Sequence, residues 1–578
     1  MAVSYAQHRR FLLSYLQPQR MRVALLAALL FGSIALQLLM PQILARFIDL
    51  ARGGASPEVL ARLAGVFLGV ALTGHLISAL SVYASENVGW TATNKVREDL
   101  ALHCLRLDLP FHNAKTPGEM IERVDGDVTQ LSGFFSQFVI KVLGNAVLLA
   151  GILVLLYRAD WRVGLVYTAF TVTTLLLLRR LMEAAIPYFK ESRQAGAILL
   201  GFLEERLSGT EDIRASGAVP YVLRRLSEAL RNQLEKSRRA WLRGTVMWAT
   251  TAVLLAVGNA LAFGMGAWLL RRGLITVGTV YLFFHYTEML RRPLEQITRQ
   301  MQELQRASAS ISRVGDLLGL RSATQDGALR LPGGALTVEA DQVSFGYVED
   351  ELVLRDVSFR LEPGRVLGLL GRTGSGKTTI GRLFVRFYDP TSGAVRLGGI
   401  DVRDVPLDDL RNRVGLVTQD VQLFHASVRD NLTFFNPRIS EAQIIAVLRE
   451  LGLQEWMETL PQGLDTPIGP RSLSAGEAQL LAFARVFFKD PGLVILDEAS
   501  SRLDPATEQL VERAVAALLR GRTAVVIAHR LGTVQRADEI LILEDGAVLE
   551  HGPRAQLAAD PASRFASLLR TGLEEMLA

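Results

Sequence analysis

Residues 366–379 read VLGLLGRTGSGKTT, and their reading decides the fold of the C-terminal half of the chain. The run from Val366 to Leu370 is short and wholly apolar, as expected of a strand buried on both faces. Gly371, Arg372, Thr373, Gly374, Ser375, Gly376, Lys377, Thr378 and Thr379 follow it and fit G-x-x-x-x-G-K-[ST], with a helix-compatible stretch after them. Glycines at these spacings let backbone N–H groups close around phosphate oxygens, and a helix N-terminus adds a favourable dipole. In this pattern Lys377 is placed to reach the β and γ phosphates of a nucleotide, and the Thr378 hydroxyl to ligate Mg2+.

Two more buried strands are expected further on, each delivering polar groups at its tip. Leu493 to Leu496 (LVIL) ends in Asp497-Glu498. Such a pair suits a magnesium-dependent hydrolase, with Asp497 holding Mg2+ through water and Glu498 polarising the attacking water as general base. Thr523 to Ala528 (TAVVIA) delivers His529, placed to contact the γ-phosphate. Three such runs predict an α/β P-loop ATPase domain.

Outward from there, the N-terminal half has a different character. The 578-residue chain is 49% hydrophobic yet 21% charged, with a mean hydropathy of +0.25. That mixture predicts a lipid-facing part joined to a soluble part. The net charge of +5 is mild for this length and argues against nucleic acid as a partner, which needs concentrated basic faces. A bilayer core is crossed by about 20 mostly apolar helical residues. Six windows of that kind are present: Val23 to Met40 (closed by Pro41), Leu63 to Ser85, Phe134 to Tyr157, Val163 to Leu178, Thr245 to Leu270, and Gly273 to Leu290. The fourth is short and must extend past Trp161 or Arg179, and the sixth carries Glu288 near its end. The segment before the first window reads as an amphipathic elbow leading into a retained span.

Connections between the windows alternate, short after the first, third and fifth, long and charged after the second and fourth. Basic pairs such as Arg179-Arg180, Arg224-Arg225 and Arg291-Arg292 cluster on the terminal or long-gap side, which puts those stretches in the cytoplasm. The long stretches should be helices continuing out of the bilayer, turning near Pro110 to Pro117 and near Gly209 to Pro220. Within the windows Gln37, His75, Asn145, Asn259, His285 and Glu288 either line a substrate cavity or hold the bundle together. The single cysteine, Cys104, can form no intrachain disulfide and reads as structural.

With the glycine loop, Gln419 in LVTQD, the LSAGEAQ stretch from Leu473 to Gln479, VILDE and His529 in IAHR in this order, the chain resembles the ABC-transporter ATPases. With six preceding spans it is similar to the exporter class in which each chain carries one membrane and one nucleotide domain. The fold expected is an α-helical six-span transmembrane bundle with long cytoplasmic extensions (1–318), a linker (319–335) and an ATP-binding cassette (336–578). The resemblance implies that Tyr347, in VSFGY, stacks on adenine, and that Gln419 senses the γ-phosphate and its Mg2+. It implies that Ser474 and Gly476 contact ATP held by the other subunit, that Ser501 to Asp504 form the loop crossing between the sites, and that the two cytoplasmic corners dock on the cassettes, one of them on the partner's. The activity implied is ATP-driven export of a small molecule, lipid or peptide across a membrane, and the compact architecture without a targeting extension leads us to expect a bacterial inner membrane.

The chain departs from the usual LSGGQ signature at Ala475 and Glu477, has a shortened approach at Gly469 to Ser472, and carries Arg502 in the crossing loop. A methyl at Ala475 and a negative charge at Glu477 should weaken the composite site this signature completes, while Lys377, Asp497, Glu498 and His529 are intact. That asymmetry points to a heterodimer with a second half-transporter, against a homodimer that tolerates LSAGE. A homodimeric lipid flippase or a regulatory membrane ATPase shares every motif.

Overall fold

A computed structural model describes residues 11, 13–133, 142–322, 324, 326–348, 351–470, 472–497, 505–527 and 534–571. They divide into a helical unit and an α/β unit.

The helical unit is built from very long helices: α1 (Arg20–Arg52), α2 (Pro57–Arg106), and, after the excursion described below, α6 (Asn145–Ala159), α7 (Trp161–Ser208), α9 (Val219–Arg271) and α10 (Val277–Gly319). The 50 residues of α2 span about 75 Å at 1.5 Å per residue, well beyond the roughly 30 Å hydrocarbon core. In α2, α7 and α9, of 50, 48 and 53 residues, the apolar windows therefore continue as helices past the bilayer, as their charged flanks predict. Among the described residues five helices are long and apolar enough to cross a membrane, within Leu13–Arg52, Pro57–Arg106, Val142–Ala159, Trp161–Ser208 and Val219–Arg271. Residues 134–141 of the expected third span lie outside the described residues. The expected sixth span begins as a loop and becomes helical only at Val277. Glu288, Arg291 and Arg292 interrupt its apolar run, although Phe283, Tyr286 and Leu290 are fully buried in the bundle.

Pro41 does not close the first helix, which runs on to Arg52. One residue on from the carbonyl of Gln37, which Pro41 cannot bond, Leu38 O accepts from Tyr286 Oη at 3.0 Å and from Gln42 Nε2 at 3.2 Å. Tyr167 Oη bonds Gly258 O at 3.0 Å and Thr287 Oγ1 at 2.7 Å, joining α7, α9 and α10. A Cβ at Gly258 would stand 2.9 Å from the Thr287 methyl and 3.0 Å from Phe170, so glycine permits this close crossing. Asn145 donates to Gln296 Oε1 at 2.8 Å and Asn259 to Glu288 Oε1 at 2.7 Å. Gln37 bonds Ser33 one turn back in its own helix, and His285 bonds Tyr281 likewise. His75 is exposed, and Cys104 is buried within α2.

Both predicted corners are short helices. The second, α8 (Thr210–Ala215), starts at Gly209 and ends before Gly217, whose φ of +62° favours glycine; it stays with the helical unit. The first, α3 (Leu109–Ala114), lies in the excursion Leu107–Ala114, which belongs to the α/β unit. The chain then continues through α4 (Pro117–Ile121), capped by the Thr116 side chain, and α5 (Val128–Gly133).

The α/β unit holds two main sheets. One is antiparallel, β2 (Leu354–Leu361), β1 (Val338–Phe345), β4 (Ser392–Leu397), β5 (Ile400–Asp401). The other has the order β12 (Ala547–Pro553), β11 (Glu539–Glu544), β3 (Val366–Gly371), β10 (Thr523–Ile527), β9 (Leu493–Asp497), β6 (Val414–Val417), parallel except for β12. Helix α11 (Lys377–Phe384) follows β3, and α12 (Leu407–Arg413), α13 (Val428–Thr433), α14 (Glu441–Glu450), α15 (Gln454–Glu458), α16 (Ala475–Phe487) and α17 (Pro505–Leu519) follow in chain order, with a small pair of strands, β7 (Ala426–Ser427) and β8 (Pro467–Ile468). One core fills the space between the two sheets around α11, and a second packs α13 to α17 against β6, β9 and β10.

Candidate functional site

Strand β3 is central and buried, with β11 on one side and β10 on the other, and β9 beside β10. Their parallel register sets Leu369 opposite Ile527, and Ile527 opposite Asp497. The three carboxyl ends predicted from the sequence therefore lie side by side, where open α/β sheets bind ligands.

The glycine loop leaves β3 at Gly371 and enters α11 at Gly376. Gly371, Gly374 and Gly376 take φ of +150°, +86° and +101°, values that side chains resist. A Cβ at Gly376 would also stand 2.5 Å from Leu354 Cδ2. Gly376 caps α11 with no side-chain hydrogen bond, which leaves first-turn N–H groups for an incoming acceptor. Lys377 is only 6% exposed, and its ammonium donates to the carbonyls of Gly371 at 2.6 Å and Arg372 at 2.9 Å. Ser375 Oγ is buried with no hydrogen-bond partner among the described residues, an orphan that a phosphate oxygen would satisfy. A polyanion fits this cradle. At its floor Thr378 Oγ1 reaches Asp497 Oδ1 at 3.5 Å, an oxygen donor pair of the kind a hard cation takes. Among the described residues no cluster of three His, Cys, Asp or Glu side chains offers another metal site.

Tyr347 flanks the loop, 43% exposed. Its hydroxyl pairs with Thr379 Oγ1 at 3.1 Å and accepts from Arg382 at 3.2 Å, and its ring stands edge-on to Phe345 and Tyr388. An exposed ring braced at its edges offers a face on which a base can stack. Gln419 is exposed, two residues past β6, the edge strand next to β9. Glu498, Asp504 and His529 lie outside the described residues; in sequence Glu498 follows directly on β9, and His529 comes two residues after β10.

The Leu473–Gln479 stretch forms the start of α16. Ser474 is its N-cap in a capping box: Glu477 N donates to Ser474 Oγ at 3.3 Å, while Ser474 N and Oγ both donate to Glu477 Oε2 at 2.7 Å. The other carboxylate oxygen, Oε1, accepts from Trp456 Nε1 at 2.9 Å. Gly476 is buried in the first turn. Near the other end of α16, the Arg485 guanidinium donates to Asn431 O, Asn431 Oδ1 and Gln422 O and lies 4.5 Å over the Phe434 ring; burial pulls its pKa down. Sequence reasoning missed Trp456, Arg485, Arg382 and Tyr388. Trp456, 21 residues before Glu477, carries no pattern that points to it, whereas Arg382 was findable as the residue one turn beyond Thr378 on the helix that the glycine loop opens.

Residues 23–294 match the family model described as ABC transporter transmembrane region, and residues 354–501 the one described as ABC transporter. A fatty acid ABC transporter ATP-binding/permease protein of Mycobacterium bovis is 30% identical over 498 residues, covering 85% of this chain and 79% of that protein. An ATP-dependent lipid A-core flippase of Chromohalobacter salexigens is 29% identical over 584 residues, covering 99% of each. Among solved structures, a bacterial Atm1-family ABC exporter with ATP bound is similar with a TM-score of 0.80 and 25% identity, over 96% of this chain and 98% of that one.

Proposed function

The chain belongs to the ABC transporter family, an ATP-hydrolysing exporter half with one membrane domain and one nucleotide domain, and from that premise we propose that it pairs with a second, different half-transporter to export its cargo by alternating access. The observation that carries the ATP chemistry is the Thr378–Asp497 contact beneath an uncapped, glycine-lined helix start.

In this reading the backbone of Gly371 to Gly376, with Arg372, Thr373 and Ser375, wraps the phosphates of ATP. Lys377 leaves the loop carbonyls for the β and γ phosphates, Thr379 helps hold Tyr347, and Tyr347 stacks on adenine. Thr378, Asp497 and Gln419 hold Mg2+, which draws charge off the phosphate oxygens when bound. Glu498 takes the proton of the attacking water and His529 contacts the γ-phosphate. Ser474 and Gly476 reach the ATP of the other cassette, and Asp504 lies in the crossing loop. Two ATPs draw the cassettes together, the long helices carry that closure into the bundle, and hydrolysis resets it. Transport follows only where cargo binds the two states with different affinity.

The heterodimer reading rests on Ala475 and Glu477. Both Glu477 oxygens are occupied by its own neighbourhood, so the Ser474 hydroxyl starts out committed to a carboxylate rather than to a phosphate. A second reading, a homodimeric lipid flippase, draws on the relative of that name that aligns over 99% of both chains. The full six-span count, the domain limits 1–318, 319–335 and 336–578, and a bacterial cell membrane complete the proposal.

The deciding measurement is phosphate release by this chain purified alone in lipid vesicles, beside Glu498→Gln. Turnover by the wild type that the variant abolishes means a self-sufficient homodimer and sinks the heterodimer reading. ATP binding without turnover in either supports it. Vectorial transport in the same vesicles separates an exporter from a regulatory ATPase.

A further inference from the structure

The excursion Leu107–Ala114 is connected at both ends to the helical unit, through Arg106 and Lys115, yet it belongs to the α/β unit. Within that unit Leu109 packs against the core between the two sheets, and Asn113 Nδ2 donates to Tyr388 Oη at 2.6 Å. Tyr388 is 9% exposed. Its ring stands edge-on to Tyr347, with centroids 5.1 Å apart at 87°, and both rings lean on Phe345, at 5.4 Å and 5.0 Å. Tyr347 continues the path through its hydroxyl to Thr379 and Arg382 in α11. Burial, with the Tyr347 phenol beside it, pushes the Tyr388 pKa up.

The edge-to-face arrangement has a preferred angle. If Tyr347 turns to stack on a base, Tyr388 must follow it or lose the contact, and its hydroxyl is held by α3, whose chain neighbours Arg106 and Lys115 belong to the helical unit. We infer that Asn113 and Tyr388 are positioning residues that relay occupancy of the nucleotide base, rather than of the phosphates, from Tyr347 to helix α3. This rests on the reading of Tyr347 as the base-stacking residue.

The test is hydrogen–deuterium exchange of residues 109–114 in the full chain, reconstituted in lipid nanodiscs, with ATP, with inorganic tripolyphosphate, and without either. In the wild type ATP should slow exchange in α3 severalfold, while tripolyphosphate, which fills the loop without a base, should leave it unchanged. Tyr388→Phe keeps the ring and deletes one hydroxyl; it and Asn113→Ala should each abolish the ATP-dependent slowing while ATP affinity stays within about threefold of wild type. The double variant should do no more than either single one. Equal slowing by tripolyphosphate, or ATP-dependent slowing that survives in Tyr388→Phe, overturns the relay and leaves Asn113–Tyr388 a plain fastening. Failure of the wild type to bind ATP would sink the nucleotide reading itself, whereas binding without any change in α3 sinks only the relay.

Discussion

Helices α11 and α16 both open on a short run of serine and glycine, and they finish their N-termini in opposite ways. α11 starts at Gly376 in a left-handed conformation with no side-chain cap, so its first N–H groups and its dipole face outward for an anion. α16 starts at Ser474 with a closed capping box, and Trp456 holds the remaining oxygen of Glu477. One end recruits a negative charge from outside; the other brings its own. The two helix starts are therefore unequal as sites for an external anion, and the glycine loop is the more open.

The comparison can be broken at four places. The largest effect belongs to Lys377→Ala in the assembled transporter, where loss of the phosphate-directed cation should cut hydrolysis by about a hundredfold or more. A variant with near wild-type phosphate release would mean that α11 is not the working end. Gly376→Ala comes next: it forces a side chain to φ +101° and into Leu354, at a cost of about 1–3 kcal/mol. Thermal unfolding should drop and ATP affinity should fall with it. Ser474→Ala should cost only about 1 kcal/mol through loss of the cap and leave ATP binding by the isolated chain untouched, a contrast that calorimetry of both variants can check. Smallest is Glu477→Gln. The Ser440–Gln443 box in α14 shows that glutamine closes the same cap, so the fold should hold while the charge goes. Removing a carboxylate worth about 0.3–1 kcal/mol at a helix N-terminus should raise dimer turnover by up to about fivefold. A fall would show that the negative charge serves the composite site and would remove the main argument for asymmetry.

The helical spans and the three strand ends were legible because their signals are local. An uncharged run of about twenty residues, or four apolar residues closed by Asp497, states its environment without reference to distant residues. The corners near Pro110 and Gly209 were legible for the same reason, as breakers between helical patterns. The first apolar window closes at Pro41, yet its helix runs on to Arg52, because a proline removes one ladder bond without ending a helix that is packed within a bundle. Glu477 was read as a bare charge, because the indole that neutralises its exposure comes from another helix.

Local signals in the chain specify the class of the protein: a membrane bundle fused to an α/β domain with a glycine loop, and a signature with Ala475 and Glu477 in unusual places. These follow from hydrophobic period, glycine spacing and residue chemistry within short windows. Only the tertiary structure decided that Leu107–Ala114 belongs with the α/β unit, that Trp456 closes on Glu477, and that Tyr388 stands between Tyr347 and Asn113, a residue 275 positions away. Such contacts are selected by how whole elements pack, and a side chain's partner across that distance leaves no periodic trace in the chain that carries it.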